Sequence, residues 1–385
     1  MHIHFIQLST GGPHPQANIP ILDICTYYNA KPPDIQCISI AGVHLAFMIT
    51  YIDGPHDDTT FLNLWNWKSG RRLAEMAQAP KSSLLFIRED LLMVLNVKCL
   101  SFDIYCISVG TGDVQLIRSL LLPRLATKAS LQFMIFNRLQ NPIVWDPSSS
   151  FAQHGLQERP FVNDPLSALV CVDLRIKQTS GYEAIYGFVA PLGAFLAYSV
   201  EALDARKKAE CPEERSCIIT PIPWNFWGPQ STRWFPFRVN STSGQIVRSP
   251  YGARCFLVLE SGERPGTISQ VTLLDFDKWR VRRARSHPPV LKTSCIPAGV
   301  FFSEPVVSYL PYLRKDVPRS LGSDGVKGDG NVNELKNLWA PMRINEQEII
   351  RILVSLLKLE FCGNKVLSAI YCPEKQSGNF AFRVI

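Results

Sequence analysis

Residues 63–73, NLWNWKSGRRL, decide how this chain is read. Extended backbone sends successive side chains to opposite faces, so Phe61, Trp65 and Trp67 share one side of the run while Leu62 and Leu64 share the other. Both faces are apolar, and such a strand asks for cover on both sides, as in stacked sheets. Lys68-Ser69-Gly70 then supplies a tight reversal into a return strand from Arg71 to Met76.

The same design returns further along. LSFDIYCISVGTGDVQLIRSL gives an alternating strand from Leu100, a Gly110-Thr111-Gly112-Asp113 turn and a return strand from Val114, with Gly112 placed 42 residues after Gly70. An interval of about 40–45 residues suits a four-stranded blade of a β-propeller, a unit that cannot bury both faces alone. HLAFMIT (44–50) and LLFIREDLLMVL (84–95) supply earlier strands of the two blades, the second turning at Arg88-Glu89-Asp90. A weaker copy is QVTLLDFDKWRVRR (270–283), preceded by ARCFLVLE (253–260), with Asp277-Lys278 as its turn. These runs predict a mostly β chain: a β-propeller-like array of WD-repeat-like blades with one amphipathic helix and long loops.

The helix is expected at about 192–208, where Leu192, Phe195, Leu196, Ser199, Val200 and Leu203 follow helical spacing. Asp204-Ala205-Arg206-Lys207-Lys208 closes it with cations suited to a helix C-terminus. Next comes IPWNFWGPQSTRWF (222–235). Pro223 and Pro229 oppose regular ladder pairing, Gly228 permits a sharp bend, and three indoles offer large apolar faces, so a loop pinned across the sheet ends is expected. Arg233 is placed to stack on Trp234 or to pair with a carboxylate.

Trp224, Trp227, Gly228, Pro229, Thr232, Arg233 and Trp234 together resemble the PW-x-x-WGP-x-x-TRW stretch of a family of F-box proteins of mushroom-forming fungi. Trp65-Asn66-Trp67 with Gly70, Val189-Ala190-Pro191 and Leu274-Asp275-Phe276 are similar to that family's WNW-K-[ST]-G, valine-alanine-proline and L-D-F elements. FSEPVVSYLPY (302–312) and MRINEQEII (342–350) are similar to its closing strands. The resemblance covers roughly residues 35–351. It implies a propeller-like scaffold that binds protein substrates for a cullin-type ubiquitin ligase, with a helical F-box near the N-terminus docking on the Skp adaptor. This chain opens instead on strand and loop sequence, so Skp is an expected partner only through an upstream F-box. The alternatives are a standalone propeller-like binding module with no ligase link, or a basic RNA-associated propeller.

The domain organisation that follows is an N-terminal arm (1–34), a propeller-like domain (35–351) with a flexible glycine-rich insertion at about 316–341, and a divergent segment (352–385). That last segment reads either as a final strand pair or as translated intron.

Composition sets limits. Hydrophobic residues make up 46% of the 385, enough for a large core. The formal charge of +7 is scattered, less than a nucleic-acid binder usually carries. Its densest run, WRVRRARSH (279–287), is expected as a strand that parts Arg280 and Arg282 from Arg283 and Arg285, so nucleic acid is not expected as a partner. Eleven irregularly spaced cysteines and seven histidines (His2, His4, His14, His44, His56, His154 and His287) match no zinc-ligand spacing. No metal, cofactor or disulfide framework is expected, and His56-Asp57-Asp58 reads as a polar hairpin tip. Without a secretory leader or a long uncharged apolar run, Asn240-Ser241-Thr242 reads as an exposed turn, no membrane partner is expected, and an intracellular location, cytoplasmic or nuclear, is expected. No G-x-S-x-G, H-E-x-x-H or phosphate-cradling loop is present, and the chain is expected not to be an enzyme.

Overall fold

The computed structural model describes residues 2–7, 12–24, 34–52, 58–78, 83–108, 111–136, 165–208, 220–237, 246–260, 268–284, 290–291, 293–316 and 380–384. The insertion beyond Asp316, the expected strand at 342–350, residues 352–379, Asn240-Ser241-Thr242, His56-Asp57, His154, Arg285 and His287 lie outside these residues.

The described chain is mostly β. After β1 (His2–Gln7) and β2 (Ile21–Asp23), strands β3 (Asp34–Ala41), β4 (His44–Ile52), β5 (Asp58–Asn66) and β6 (Arg71–Gln78) form one antiparallel four-stranded sheet in chain order. A second such sheet holds β7 (Leu84–Arg88), β8 (Leu91–Asn96), β9 (Ser101–Ile107) and β10 (Val114–Leu121). The third comprises β11 (Ala129–Phe136), β12 (Leu169–Gln178), β13 (Glu183–Pro191) and, after helices α1 (Leu192–Lys208) and α2 (Trp224–Ser231), β14 (Arg233–Phe237).

A five-stranded sheet follows, from β15 (Ile246–Tyr251), β16 (Arg254–Glu260), β17 (Ile268–Asp275), β18 (Val290–Leu291) and β21 (Tyr312–Asp316) in the order β15-β16-β17-β21-β18. Helix α3 (Lys278–Arg283) comes after β17, and β19 (Ser294–Ile296) pairs with β20 (Val306–Ser308). The final strand β22 (Phe380–Val384) returns to β1, giving a three-stranded sheet β2-β1-β22 built from both ends of the chain.

Apolar layers join each sheet to the next. Ile3, Phe5 and Leu22 pack on Leu45, Phe47, Ile49 and Trp67. The opposite face of the β3–β6 sheet, through Met48, Leu62 and Leu64, packs on Phe86, Leu92 and Val94 of the next. Leu62 and Leu64 therefore face one layer and Trp67 the other, which is the two-sided cover that the alternating run demands. The largest layer lies between the second and third sheets under α1 and α2, and a smaller one joins Cys171 and Val189 to Cys255 and Leu274.

The two repeated turns are built alike. Gly70 (φ 72°) donates its N–H to the Asn66 carbonyl at 2.8 Å, and Gly112 (φ 76°) donates to Ser108 at 3.0 Å. The left-handed backbone that closes both reversals is open to glycine at no steric cost. Within the second sheet, buried Asp103 accepts from Ser101 Oγ (2.9 Å), Ser119 Oγ (2.7 Å) and Asn96 Nδ2 (2.9 Å), tying β9 to β10 and to the 96–101 turn.

Three expectations are corrected. The tryptophan stretch is a helix, α2, followed by a strand, and not a loop. Residues 278–283 are helical, and not the outgoing strand of a hairpin. In α1 the inward set is Leu192, Phe195, Leu196, Ser199 and Ala202, while Val200 is 43% exposed. Among the described residues no helix is long and apolar enough to cross a membrane.

Candidate functional site

Helix α2 forms because Pro223, extended at φ −63°, leads straight into a helical turn, and because the proline inside the helix falls near its end. Pro229 cannot donate to Asn225, four residues back, but Asn225 is exposed. At the C-terminus the Thr232 hydroxyl donates to the Gly228 carbonyl (2.8 Å) and the Tyr309 N–H donates to Pro229 (2.7 Å), so carbonyls that the helix leaves open find partners.

The indoles of this stretch face inward. Trp227 is 1% exposed and donates Nε1–H to the Leu121 carbonyl at 2.7 Å, pinning α2 to the outer strand of the second sheet. Trp224 meets Trp227 and Trp234 edge-on, with centroids 5.1 and 5.5 Å apart, and Trp234 stacks on Phe188 at 4.9 Å. Such ring pairs add about 0.5–1.5 kcal/mol beyond the area they bury. Gly228 is the condition for this packing, since a Cβ there would lie 2.2 Å from carbons of the Trp224 ring. The earlier pair is similar: Trp67 is 1% exposed, packs on Phe5 and His14 and donates to the Gly42 carbonyl at 2.8 Å, while Trp65 is half-buried in the same layer. Thus Trp65 and Trp67, beside the Gly70 turn, lie in one packing layer, while Trp224, Trp227 and Trp234, with Gly228, Pro229 and Thr232 of the same stretch, lie in another, and Arg233 reaches Tyr312 of a third; the ten do not converge on one cleft.

Arg233 is 3% exposed, stacks over the Tyr312 ring at 4.7 Å and donates Nη2–H to the Thr293 carbonyl at 3.0 Å. It does not stack on Trp234. Among the described residues no carboxylate pairs with it, and Nε and Nη1 are buried without a partner. Burial holds its guanidinium below the ordinary arginine range, with Tyr312 acting in the opposite direction.

Trp279 of α3 stands outside these layers beside charge, 67% exposed. Asp277 caps the helix by accepting from the N–H groups of Trp279 (2.8 Å) and Arg280 (3.0 Å). Helical spacing puts Lys278 and Arg282 on one side, and both cations lie over the indole, at 5.9 and 5.4 Å from its centroid. Arg280 pairs with buried Asp275 (3.4 Å), which Arg254 also approaches at 3.3 Å. Val281 is buried and anchors the turn. The strand expected here would have set Lys278, Arg280 and Arg282 on one face and Arg283 on the other. The sequence does carry the missed signal, an Asp immediately before Lys-Trp-Arg, which is an N-cap pattern.

Among the described residues no three His, Cys, Asp or Glu side chains gather at a spacing able to hold a metal ion. Neither a family model nor a curated protein matches the sequence. Solved structures do: an acylaminoacyl peptidase in complex with Z-Gly-Gly-Phe-chloromethyl ketone is 7% identical with a TM-score of 0.31, over 63% of this chain and 31% of that one. The tricorn protease is 10% identical with a TM-score of 0.22, over 77% of this chain and 33% of that one. The chain thus spans about a third of the length of either protein. The expectation that it is not an enzyme is corrected here, because both neighbours are peptidases and the exclusion of catalysis falls. Scores this low carry no activity, and no peptidase chemistry is assigned to this chain.

Proposed function

We propose that this chain is a protein-interaction scaffold of β-propeller-like build, the substrate-recognition portion of a fungal F-box receptor for a cullin-type ubiquitin ligase, acting in the cytoplasm or nucleus. The observation that carries the reading is the succession of three four-stranded antiparallel sheets and a five-stranded one, stacked in chain order through shared apolar layers, with the two chain ends pairing in one sheet. Stacked antiparallel sheets with paired chain ends support a blade-array reading. The resemblance of the 222–235 stretch to the F-box family supports the ligase assignment, and the inward packing of its indoles supports a supporting role for that stretch over ligand contact.

The 5′ end of the transcript tests the ligase link. In-frame upstream codons for leucine- and proline-rich helices are expected, and the protein extended by them is expected to capture the Skp adaptor and a cullin. An extended protein that captures neither overturns the ligase assignment.

A further inference from the structure

We propose that α3 and its cationic fringe form a docking site for an acidic polypeptide segment; this rests on the reading of the chain as a protein-interaction scaffold and names the chemistry of its partner. Five of the six residues of α3 face solvent: Lys278, Trp279, Arg280, Arg282 and Arg283. A tryptophan 67% exposed leaves apolar surface in water beside the two cations that lie over its ring. Two acidic groups beside the helix are already engaged, Asp277 by the helix N–H groups and Asp275 by Arg254 and Arg280. Strand β21, which packs beside α3, adds exposed Lys315. The surface therefore presents excess positive charge around one aromatic anchor, a combination of Trp and Arg that recurs at protein-binding hot spots.

Charge complementarity calls for an anionic partner, and the geometry favours a polypeptide over a nucleic acid. Lys278 and Arg282 lie over the indole, so a base could stack there only by displacing them. A six-residue helix is about 9 Å long, short for the several phosphate contacts on which nucleic-acid affinity depends. Carboxylate side chains, in contrast, reach the two cations where they stand, and a neighbouring apolar side chain covers the remaining indole surface.

The test is fluorescence anisotropy of the full chain with three labelled probes: a short peptide of Glu and Asp with one Leu, its Gln/Asn counterpart, and a uridine oligonucleotide of equal length. The acidic peptide is expected to bind saturably and more weakly as salt rises, and the Gln/Asn peptide not to bind. Trp279→Ala, and separately Lys278→Glu with Arg282→Glu, are expected to weaken the acidic peptide by about tenfold or more. These are exposed positions, so an unchanged melting curve is expected to accompany the loss. Absence of saturable binding, or binding that survives both variants, overturns the proposal. Tighter binding of the oligonucleotide, lost in the same variants, overturns it in favour of nucleic acid. Failure of the extended protein to capture Skp and cullin sinks the ligase reading alone and does not touch this result.

Discussion

At Gly228 the backbone passes so close to Trp224 that any side chain would enter the ring, with Cε3 and Cζ3 both 2.2 Å from an added Cβ. Neither partner yields easily, because Trp224 is wedged edge-on against Trp227 and Trp234. Gly228→Ala is therefore expected to destabilise by about 1–3 kcal/mol, the usual cost of overpacking, read as a lower urea midpoint at unchanged slope. An unchanged midpoint would mean that Trp224 does not cover the glycine. His14 makes a different kind of prediction. It is 3% exposed, sits edge-on to Trp67 at 5.4 Å, and accepts the Gln16 N–H on Nδ1 at 3.2 Å. Desolvation, and then the Lys68 ammonium, hold its pKa below 6.5. The unfolded chain then takes up the proton first, so this contribution is whole above about pH 6.5 and is lost as pH falls through that value to the folded-state pKa. His14→Asn keeps an acceptor for Gln16 and removes the titration. Urea midpoints of the two proteins are expected to diverge at neutral pH and converge toward pH 5; parallel curves would refute the assignment.

Among the elements, α3 depends most on a single residue. A six-residue helix lies far below the length at which helices hold by themselves, so its cap and the buried Val281 carry it. Asp277→Ala removes the acceptor for two N–H groups and is expected to cost about 0.5–2 kcal/mol, with faster amide exchange at Trp279 and Arg280 and weaker acidic-peptide binding although the cations remain. Unchanged exchange at those two amides would show that the cap is idle. The same element shows what sequence can and cannot carry. DFDKWRVRR alternates well enough to pass for a strand, and the competing signal is one carboxylate before the run. Where period and punctuation agree, as in β5 and β6 around Gly70 or β9 and β10 around Gly112, the hairpins are legible. Helix α1 also stands where its spacing and terminal cations put it, at Leu192–Lys208, yet with Ala202 inward and Val200 outward. Helix α2 was hidden by its prolines, whose usual meaning is a loop, because its last carbonyls are satisfied by Thr232 and by Tyr309, a partner 80 residues from Pro229. The exposure of Trp279 and the burial of Trp227 depend on such long-range contacts, which the sequence around each tryptophan does not carry.

For the whole molecule, the pairing of β1 with β22 separates two architectures. Five residues of β1, Ile3 to Gln7, run antiparallel to Val384 to Phe380, so the ends of the chain share a ladder. In a closed ring that ladder holds the last blade to the first, and every apolar layer is strained when it opens. In an open stack it matters only to the outermost sheet, since each layer contacts its neighbours alone. Removing residues 380–385 distinguishes the two. A ring predicts one lowered unfolding midpoint and faster amide exchange in all the sheets, including β8 and β9, whose residues are buried far from β1. An open stack predicts faster exchange confined to β1, β2 and the neighbouring β3–β6 sheet, with β8 and β9 protected as before. Hydrogen exchange read sheet by sheet therefore tests the propeller-like reading directly, and confinement of the change to the first two sheets would sink it.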